Sequence, residues 1–224
     1  MQVHVVENVL KLNDELAALN RTGLRGAGVF TVNLIGGPGC GKTSLLEATT
    51  EALRDRARTA VIVGDLATTR DADRLARHCG QVVQVNTGRG CHLEAHHVRQ
   101  ALARLDLSGV DVLFIENVGN LVCPVGFDLG QDVKVGLFSV CQGDDKPAKY
   151  PYLVRESAVV LLNKTDLLGH LSFNRDAFRA DVRELRPDAD VLEISVASGR
   201  LGPWLDWLAA RVPALPAGRS EPRG

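Results

Sequence analysis

The chain has 224 residues, of which 45% are hydrophobic, and its formal net charge at pH 7 is −1. This allows one large domain with a full core, and the near-neutral charge argues against a nucleic-acid partner or an anionic membrane surface. No apolar run approaches the roughly 18 residues of a membrane-spanning helix, and the N-terminus lacks the features of a signal peptide. Because the five cysteines are odd in number and scattered, reduced thiols and a cytoplasmic location are expected.

An amphipathic helix is predicted first, because apolar residues recur three and four positions apart between Val9 and Leu19. Residues 22–28 are predicted to form a loop, after which strands and helices alternate. The strand candidates are mostly continuous Val/Ile/Leu runs, which is typical of strands buried on both faces of a parallel sheet. These runs are VFTVNLIG, TAVIVGD, QVVQVN, VDVLFIEN, VKVGLFSV, AVVLLNK and ADVLEIS. Helices are predicted at Thr43–Arg56, Ala72–Cys79, His92–Leu105, Arg175–Leu185 and Pro203–Ala210.

This alternation predicts an α/β fold of three layers, in which helices flank a mostly parallel central sheet. We expect an N-terminal helix and loop at 1–27 and one nucleotide-binding domain at 28–212. The Pro/Gly-rich residues 213–224 are expected to form a flexible tail.

A glycine-rich loop lies between the first predicted strand and the next helix. Residues 36–43, GGPGCGKT, fit the pattern G-x-x-x-x-G-K-[ST], in which backbone N–H groups and a helix N-terminus hold phosphate oxygens. Lys42 is expected to reach the β- and γ-phosphates, and the Thr43 hydroxyl to bind Mg²⁺. The loop residues expected to contact the nucleotide are Gly37, Gly39, Cys40, Gly41, Lys42, Thr43 and Ser44. The sequence therefore predicts a P-loop NTPase.

The base is indicated by Asn163-Lys164-Thr165-Asp166, which follows a buried strand as N-K-x-D does in GTPases. The Asp166 carboxylate can accept two hydrogen bonds from guanine, and discrimination against adenine at such a site is on the order of 10⁴ or more. Backbone contacts to the base are expected from Ser195, Val196 and Ala197.

Carboxylates for the phosphate end follow two other strands. Glu116 ends an apolar run at the Walker-B position, where it is expected to hold Mg²⁺ directly or through water. Asp65 is a second carboxylate on the Mg²⁺ side, and the Gly119 N–H is expected to bond the γ-phosphate and sense hydrolysis. Asp71 and Asp73 are candidates for orienting the attacking water, although charges that complement a helix dipole explain them equally well.

A cysteine and histidine group forms a second candidate site. Cys91 and His92 are adjacent at a predicted helix start, where a thiol pKa is lowered, and Cys123 follows Glu116 by seven residues. Sulfur and imidazole ligands suit Ni²⁺ or Zn²⁺, and a symmetric pair of chains can complete a three-ligand site. His96 is a further candidate, but a solvated helix face explains it equally. Cys79 and Cys141 are expected to be buried, and Cys40 to be a tolerated loop position.

Between residues 28 and 208 the chain resembles the hydrogenase nickel-incorporation GTPases, the HypB family of the SIMIBI class. The phrases that carry the resemblance are GDLATTRDADRL, VNTGRGCHLEA, LFIENVGNLVCPVGFDLG, DDKPAKYP and LLNKTDLL. The resemblance implies a GTP-dependent homodimer that passes nickel to the [NiFe] hydrogenase precursor together with a HypA-type chaperone. It also implies an interfacial metal site at Cys91, His92 and Cys123, and a lysine, matched by Lys149, that reaches the other subunit's nucleotide.

Some members of the family carry an N-terminal C-x-x-C-G-C nickel site and others a long His-rich nickel store, and neither is found in this sequence. The metal role therefore rests on Cys91, His92 and Cys123. Two alternatives remain open: a urease-accessory type of nickel GTPase, which uses a C-P-H triplet, and a metal buffer with negligible turnover. The helix from Val9 to Leu19 is the candidate surface for HypA.

Overall fold

The computed structural model describes residues 9–65, 70–88 and 90–215, without the side chains at positions 9, 65 and 70. Its strands are β1 (Phe30–Gly36), β2 (Thr59–Asp65), β3 (Gln81–Asn86), β4 (Val112–Glu116), β5 (Val133–Ser139), β6 (Val159–Asn163) and β7 (Asp190–Glu193). They form one seven-stranded sheet in the order β3-β2-β4-β1-β5-β6-β7. Every strand pair is parallel.

The helices lie on both faces of this sheet. They are α1 (Val9–Gly26), α2 (Lys42–Leu53), α3 (Arg70–Leu75), α4 (Ala95–Leu102), α5 (Lys146–Lys149), α6 (Pro151–Glu156), α7 (Arg175–Leu185) and α8 (Gly202–Ala209). The predicted three-layer α/β fold is confirmed, and so are all seven strands. None of the described helices combines the length and the apolar character needed to span a membrane.

Alternation along each strand divides the core between the two faces. In β1, Val32 and Leu34 pack in the cluster that contains helices α2 and α8. Ile62 and Ile115, from β2 and β4, instead join a cluster on the other face that contains Leu24 of α1. Since both faces are covered, the central strands are buried throughout, which explains their continuous apolar runs.

Helix α1 continues to Gly26, so the prediction of a loop from residue 22 is wrong. Leu24 is 1% exposed in the core, and Arg21 forms an ion pair of 2.6 Å with Asp128. These contacts outweigh the roughly 1 kcal/mol cost of a glycine inside a helix, here Gly23. The boundary at residue 27 stays a prediction. Most of the predicted tail lies outside the described residues, and Leu215, within them, is buried.

Helix α4 begins at Ala95, three residues later than the predicted start at His92. Glu94 and His97 form a capping box, in which the His97 Nδ1 accepts a hydrogen bond from the Glu94 N–H. Cys91 and His92 therefore lie in the loop before the helix. Helices α5 and α6 have no counterpart among the predicted helices.

Because all strands are parallel, their carboxyl ends meet at one edge of the sheet. The loops after β1, β4 and β6 line one cavity there, and the loop after β3 meets the loop after β4 at Cys91, His92 and Cys123. This edge carries the residues that were predicted to bind nucleotide and metal.

Candidate functional site

The glycine-rich loop after β1 curls back toward its own strand. Gly39 and Gly41 have φ values of 72° and 99°, in the left-handed region that favours glycine. Helix α2 starts directly after Gly41, so its first N–H groups face into the curl. Lys42 is 7% exposed, and its Nζ donates a hydrogen bond of 3.2 Å to the Gly36 carbonyl. The loop thus places one ammonium and several N–H groups around a space suited to phosphate.

A hydroxyl and a carboxylate meet beside this loop. Thr43 Oγ1 donates a 2.8 Å hydrogen bond to Glu116 Oε1, joining the start of α2 to the end of β4. Two adjacent oxygen ligands of this kind fit Mg²⁺, which prefers hard donors. Asp65 ends β2, the strand in which Val63 pairs with Glu116, but the Asp65 side chain lies outside the described residues.

The N-K-x-D segment after β6 supports the phosphate loop from the other side. Asn163 Nδ2 donates to the Cys40 carbonyl at 3.0 Å, and Lys164 Nζ donates to the Gly39 carbonyl at 2.8 Å. Ser195 Oγ donates to Asp166 Oδ1 at 2.5 Å, which fixes the carboxylate. The Asp166 side chain is thereby oriented while other lone pairs stay available for a base.

These segments enclose a cavity of about 790 Å³. Its lining includes thirteen residues predicted to bind or act on the nucleotide: Gly39, Gly41, Lys42, Thr43, Ser44, Asp71, Glu116, Gly119, Asn163, Lys164, Asp166, Val196 and Ala197. Gly37, Cys40, Asp73, Ser195 and Lys149 are not among the lining residues. The structure therefore brings together most of the residues that the motifs nominated.

The structure differs from the expectation at Cys40 and Cys141, and it places Lys149 in a local ion pair. The Cys40 side chain is wholly buried in the core, so it is not a tolerated loop position, and burial raises the pKa of its thiol. Cys141 is exposed, not buried. Lys149 is exposed and forms an ion pair with Asp145 of its own helical turn, which raises the pKa of Lys149.

Several residues that were not predicted to contact the nucleotide also line the cavity, among them Arg74 and Asn117. Arg74 of α3 forms a 2.6 Å ion pair with Glu47 and a 3.3 Å hydrogen bond with Ser44 Oγ. Asn117 follows Glu116 and is fully buried. Their partners come from distant parts of the chain, so neither spacing nor local pattern indicates them.

Cys91, His92 and Cys123 form a cluster whose potential ligand atoms all lie within 4.8 Å of one another. Cys91 Sγ is 3.5 Å from His92 Nδ1. The prediction that a helix start lowers the Cys91 pKa is wrong, because α4 begins four residues later. The hydrogen bond with Cys123, and less so burial, raises the pKa of the Cys91 thiol. His96 is not part of this cluster.

The His92 imidazole is held on two sides. It stacks on Phe127, with ring centroids 3.9 Å apart and planes inclined by 30°. Its Nε2 is buried, and Glu94 Oε1 lies 3.7 Å away. Burial lowers the pKa of His92, and the nearby Glu94 charge opposes this effect. A neutral ring whose Nδ1 faces the thiols has the form that a metal requires.

The fold and the two groups of residues define a P-loop nucleotide-binding protein with a separate S/N/S ligand cluster. Residues 30–193 match the family described as "CobW/HypB/UreG, nucleotide-binding domain". The chain belongs to this family and, within it, to the hydrogenase maturation factors HypB. It is 47% identical to hydrogenase maturation factor HypB of Azotobacter vinelandii, over 95% of this chain and 73% of the relative.

Two solved structures of the same family share the fold. HypB from Helicobacter pylori in complex with nickel superimposes with a TM-score of 0.85 at 35% identity, covering 89% of this chain and 94% of the other. Hydrogenase maturation factor HypB from Archaeoglobus fulgidus gives a TM-score of 0.84 at 35% identity, over 90% and 98% of the two chains.

Proposed function

We propose that this chain is a GTP-hydrolysing maturation factor that carries nickel to the precursor of a [NiFe] hydrogenase large subunit. One observation carries the proposal: a single strand, β4, leads into both sites. Glu116 at its end lines the nucleotide cavity, and the segment that follows supplies Cys123 to the metal cluster. Nucleotide state and metal geometry are therefore linked by seven residues of chain.

Guanine selection is assigned to the segment after β6. Asp166 accepts hydrogen bonds from the base, and Ser195 positions its carboxylate from outside the cavity. The backbone of Val196 and Ala197, which line the cavity, contacts the other side of the base. An adenine base leaves the Asp166 carboxylate unpaired, which is the origin of selectivity for GTP and GDP.

Hydrolysis is assigned to positioning and charge neutralisation. Lys42 and the loop N–H groups hold the phosphates, and Asp71, which lines the cavity, orients the attacking water. Thr43, Glu116 and Asp65 are the residues that would hold Mg²⁺, and the ion would neutralise charge that develops on the phosphate oxygens. The Gly119 N–H bonds the γ-phosphate, so loss of that phosphate releases the segment leading to Cys123.

Nickel is the cargo of the cluster formed by Cys91, His92 and Cys123, and zinc suits the same ligands. Three ligands leave a coordination position for a second copy of the chain, so we include a homodimer in the GTP state. In that dimer Lys149 leaves Asp145 and reaches the partner's nucleotide. A HypA-type nickel chaperone and the hydrogenase precursor are the proposed partners, as in the family to which the chain belongs.

The test is equilibrium dialysis with nickel, combined with light scattering after size exclusion, in GDP and in a non-hydrolysable GTP analogue. Wild type is compared with Cys123→Ala and with Cys141→Ala, a matched control whose thiol is exposed and lies outside the cluster. We expect the analogue to produce a dimer with altered nickel affinity. Cys123→Ala should abolish that difference, and Cys141→Ala should retain it.

Two results would contradict the proposal. Nickel binding that is independent of nucleotide leaves a GTPase without a metal switch. Nickel binding that survives the loss of Cys123 places the metal elsewhere. Release of phosphate from GTP, measured in the same samples and absent in Lys42→Ala, tests turnover separately and would distinguish the enzyme from a metal buffer.

A further inference from the structure

A buried amide joins the nucleotide cavity to the metal-bearing loop. Asn117 follows Glu116 directly and is fully buried. Its Oδ1 accepts hydrogen bonds from the N–H groups of Leu93, at 3.1 Å, and Val118, at 3.0 Å. Its Nδ2 donates to Asn33 Oδ1 of β1 at 3.2 Å. Because Leu93 directly follows His92, the Leu93–Asn117 hydrogen bond connects a residue that lines the nucleotide cavity to the loop that carries His92.

The Leu93 side chain contacts a second residue that lines the nucleotide cavity, Gly64. It is fully buried and packs against Gly64, where an added Cβ would lie only 2.8 Å from Leu93 Cγ. Gly64 lies next to the end of β2, and both Gly64 and Asn117 line the cavity. Leu93 is thus held between two strand ends, one through its backbone and the other through its side chain.

The Asn117 amide is fixed on its other side as well. Asn33 Nδ2 donates a hydrogen bond of 3.5 Å to Gln131 Oε1. The same oxygen accepts a hydrogen bond of 2.9 Å from the N–H of Leu129, which belongs to the same apolar cluster as Leu93. A buried amide with all these partners has little rotational freedom. Movement of the β4 end is therefore passed on to Leu93 and is not absorbed by side-chain rotation.

We propose that Asn117 is a positioning residue that couples the nucleotide at Glu116 to His92 in the metal cluster. This inference rests on the function proposed above. The route through Cys123 runs along an external loop in which Val122 is 62% exposed. The route through Asn117 is buried and consists of one hydrogen bond between two short covalent segments. A displacement of Glu116 is therefore passed to the metal cluster more completely through Asn117 than through the exposed loop that leads to Cys123.

The test measures nickel affinity in GDP and in a GTP analogue for wild type, Asn117→Ala and Asn120→Ala. Asn120 is the matched control, because its Oδ1 accepts from the N–H groups of Val122 and Cys123 within its own loop. We expect wild-type affinities to differ by at least about fivefold between the two states. In Asn117→Ala the ratio should fall to within about twofold of one, whereas Asn120→Ala weakens nickel binding in both states and retains the ratio.

A reciprocal measurement checks the coupling by a second route. By linkage, the factor by which the GTP analogue changes nickel affinity relative to GDP equals the factor by which nickel changes the ratio of analogue affinity to GDP affinity, so Asn117→Ala should bring both factors close to one. A wild-type ratio in Asn117→Ala overturns this inference alone. Equal nickel affinities in the two states of wild-type protein overturn both the inference and the switch in the proposed function.

A second experiment keeps the inference testable if Asn117→Ala does not fold. In wild-type protein, amide hydrogen exchange of Leu93 is followed by ¹⁵N NMR in GDP and in the GTP analogue. The inference requires the Leu93 exchange rate to change by about fivefold or more between the states, in line with the expected coupling. An unchanged rate, while the Gly119 amide responds to the analogue, overturns it.

Discussion

The five thiols of this chain occupy three different environments. Cys40 and Cys79 are buried among apolar side chains, and Cys141 is exposed. Cys91 and Cys123 lie together beside an imidazole whose burial lowers its pKa. Burial blocks a reagent and raises the pKa of the Cys40 thiol, so environment, not residue type, decides which thiols react.

Alkylation with iodoacetamide should therefore resolve the thiols in native protein. Cys141 should react with or without nickel, and Cys40 and Cys79 only after unfolding. Nickel should slow the modification of Cys91 and Cys123 by about tenfold or more, since a bound thiolate is not free to attack. Mass spectrometry of peptides gives each rate. Equal protection of Cys141 would show that nickel acts through global stabilisation and not through the cluster.

The motif residues could be predicted because their chemistry depends on local spacing. The run from Gly36 to Thr43 forms one turn and one helix start, and the whole signal lies within it. Asn117 could not be assigned a role, since its partner Leu93 is 24 residues away and contributes only a backbone N–H. Almost every residue type has a backbone N–H, so the identity of the residue at position 93 does not indicate this hydrogen bond. For the same reason, the sequence does not indicate the hydrogen bonds of Asn163 and Lys164 to backbone carbonyls of the phosphate loop.

Among the elements, helix α8 packs in the same apolar cluster as α2, the helix that begins directly after the phosphate loop. Trp204 of α8 is fully buried, and its Nε1 donates a 3.0 Å hydrogen bond to Thr49 Oγ1 of α2. Thr49 itself donates to the Leu45 carbonyl of the same helix. Because α2 begins at Lys42, α8 supports the helix whose first residues line the nucleotide cavity.

Replacing Thr49 by Val should lower the free energy of unfolding by about 1–3 kcal/mol, because the Trp204 N–H then stays buried without an acceptor. Thr50→Val is the matched control. Thr50 is equally buried and donates to the Leu46 carbonyl in the same way, but no indole depends on it. Its cost should be lower by about 1 kcal/mol, because only the hydroxyl's own hydrogen bond is lost and no buried donor is left without an acceptor. Urea unfolding measures both, and equal costs would contradict the role of the Trp204 hydrogen bond.

Helix α1 shows why element boundaries were harder to predict than element types. Apolar spacing identified the helix, but its last turn is fixed by tertiary contacts that include Arg21 with Asp128. Asn20 Nδ2 donates to the carbonyls of Ala95 and Leu129, which follow the two segments that carry Cys91, His92 and Cys123. These contacts join α1 to residues far away in the sequence, so no regular spacing of residue types indicates them. The later start of α4 has a different origin, the local capping box of Glu94 and His97, which apolar spacing does not indicate.

For the whole molecule, the parallel sheet explains why distant motifs meet. Seven apolar runs predicted seven strands, and parallel pairing followed from their burial. The order of the strands, with β1 between β4 and β5, could not be predicted, because each apolar run fits any central position equally well. That order places Glu116 opposite Leu34 and hence beside the phosphate loop.

The proposed dimer is testable through an apolar side chain beside the cluster. Val122 precedes Cys123 and is 62% exposed in the single chain. If a second copy completes the metal site, Val122→Asp buries an unpaired charge and should weaken the analogue-dependent dimer by about tenfold or more. Leu171→Asp, at another exposed position, is the control and should not affect it. Analytical ultracentrifugation measures both, and equal effects would exclude an interface at Val122.

The donor atoms of the two candidate sites sort cations by their hardness. The Thr43 and Glu116 oxygens, 2.8 Å apart, favour a small, hard ion such as Mg²⁺. The sulfur atoms of Cys91 and Cys123 favour a softer, more polarisable ion and bind Mg²⁺ poorly, however abundant it is. In the function proposed above, the two ions therefore need no physical barrier between them. Ligand chemistry would keep the ion that serves the phosphates from displacing the ion that is carried.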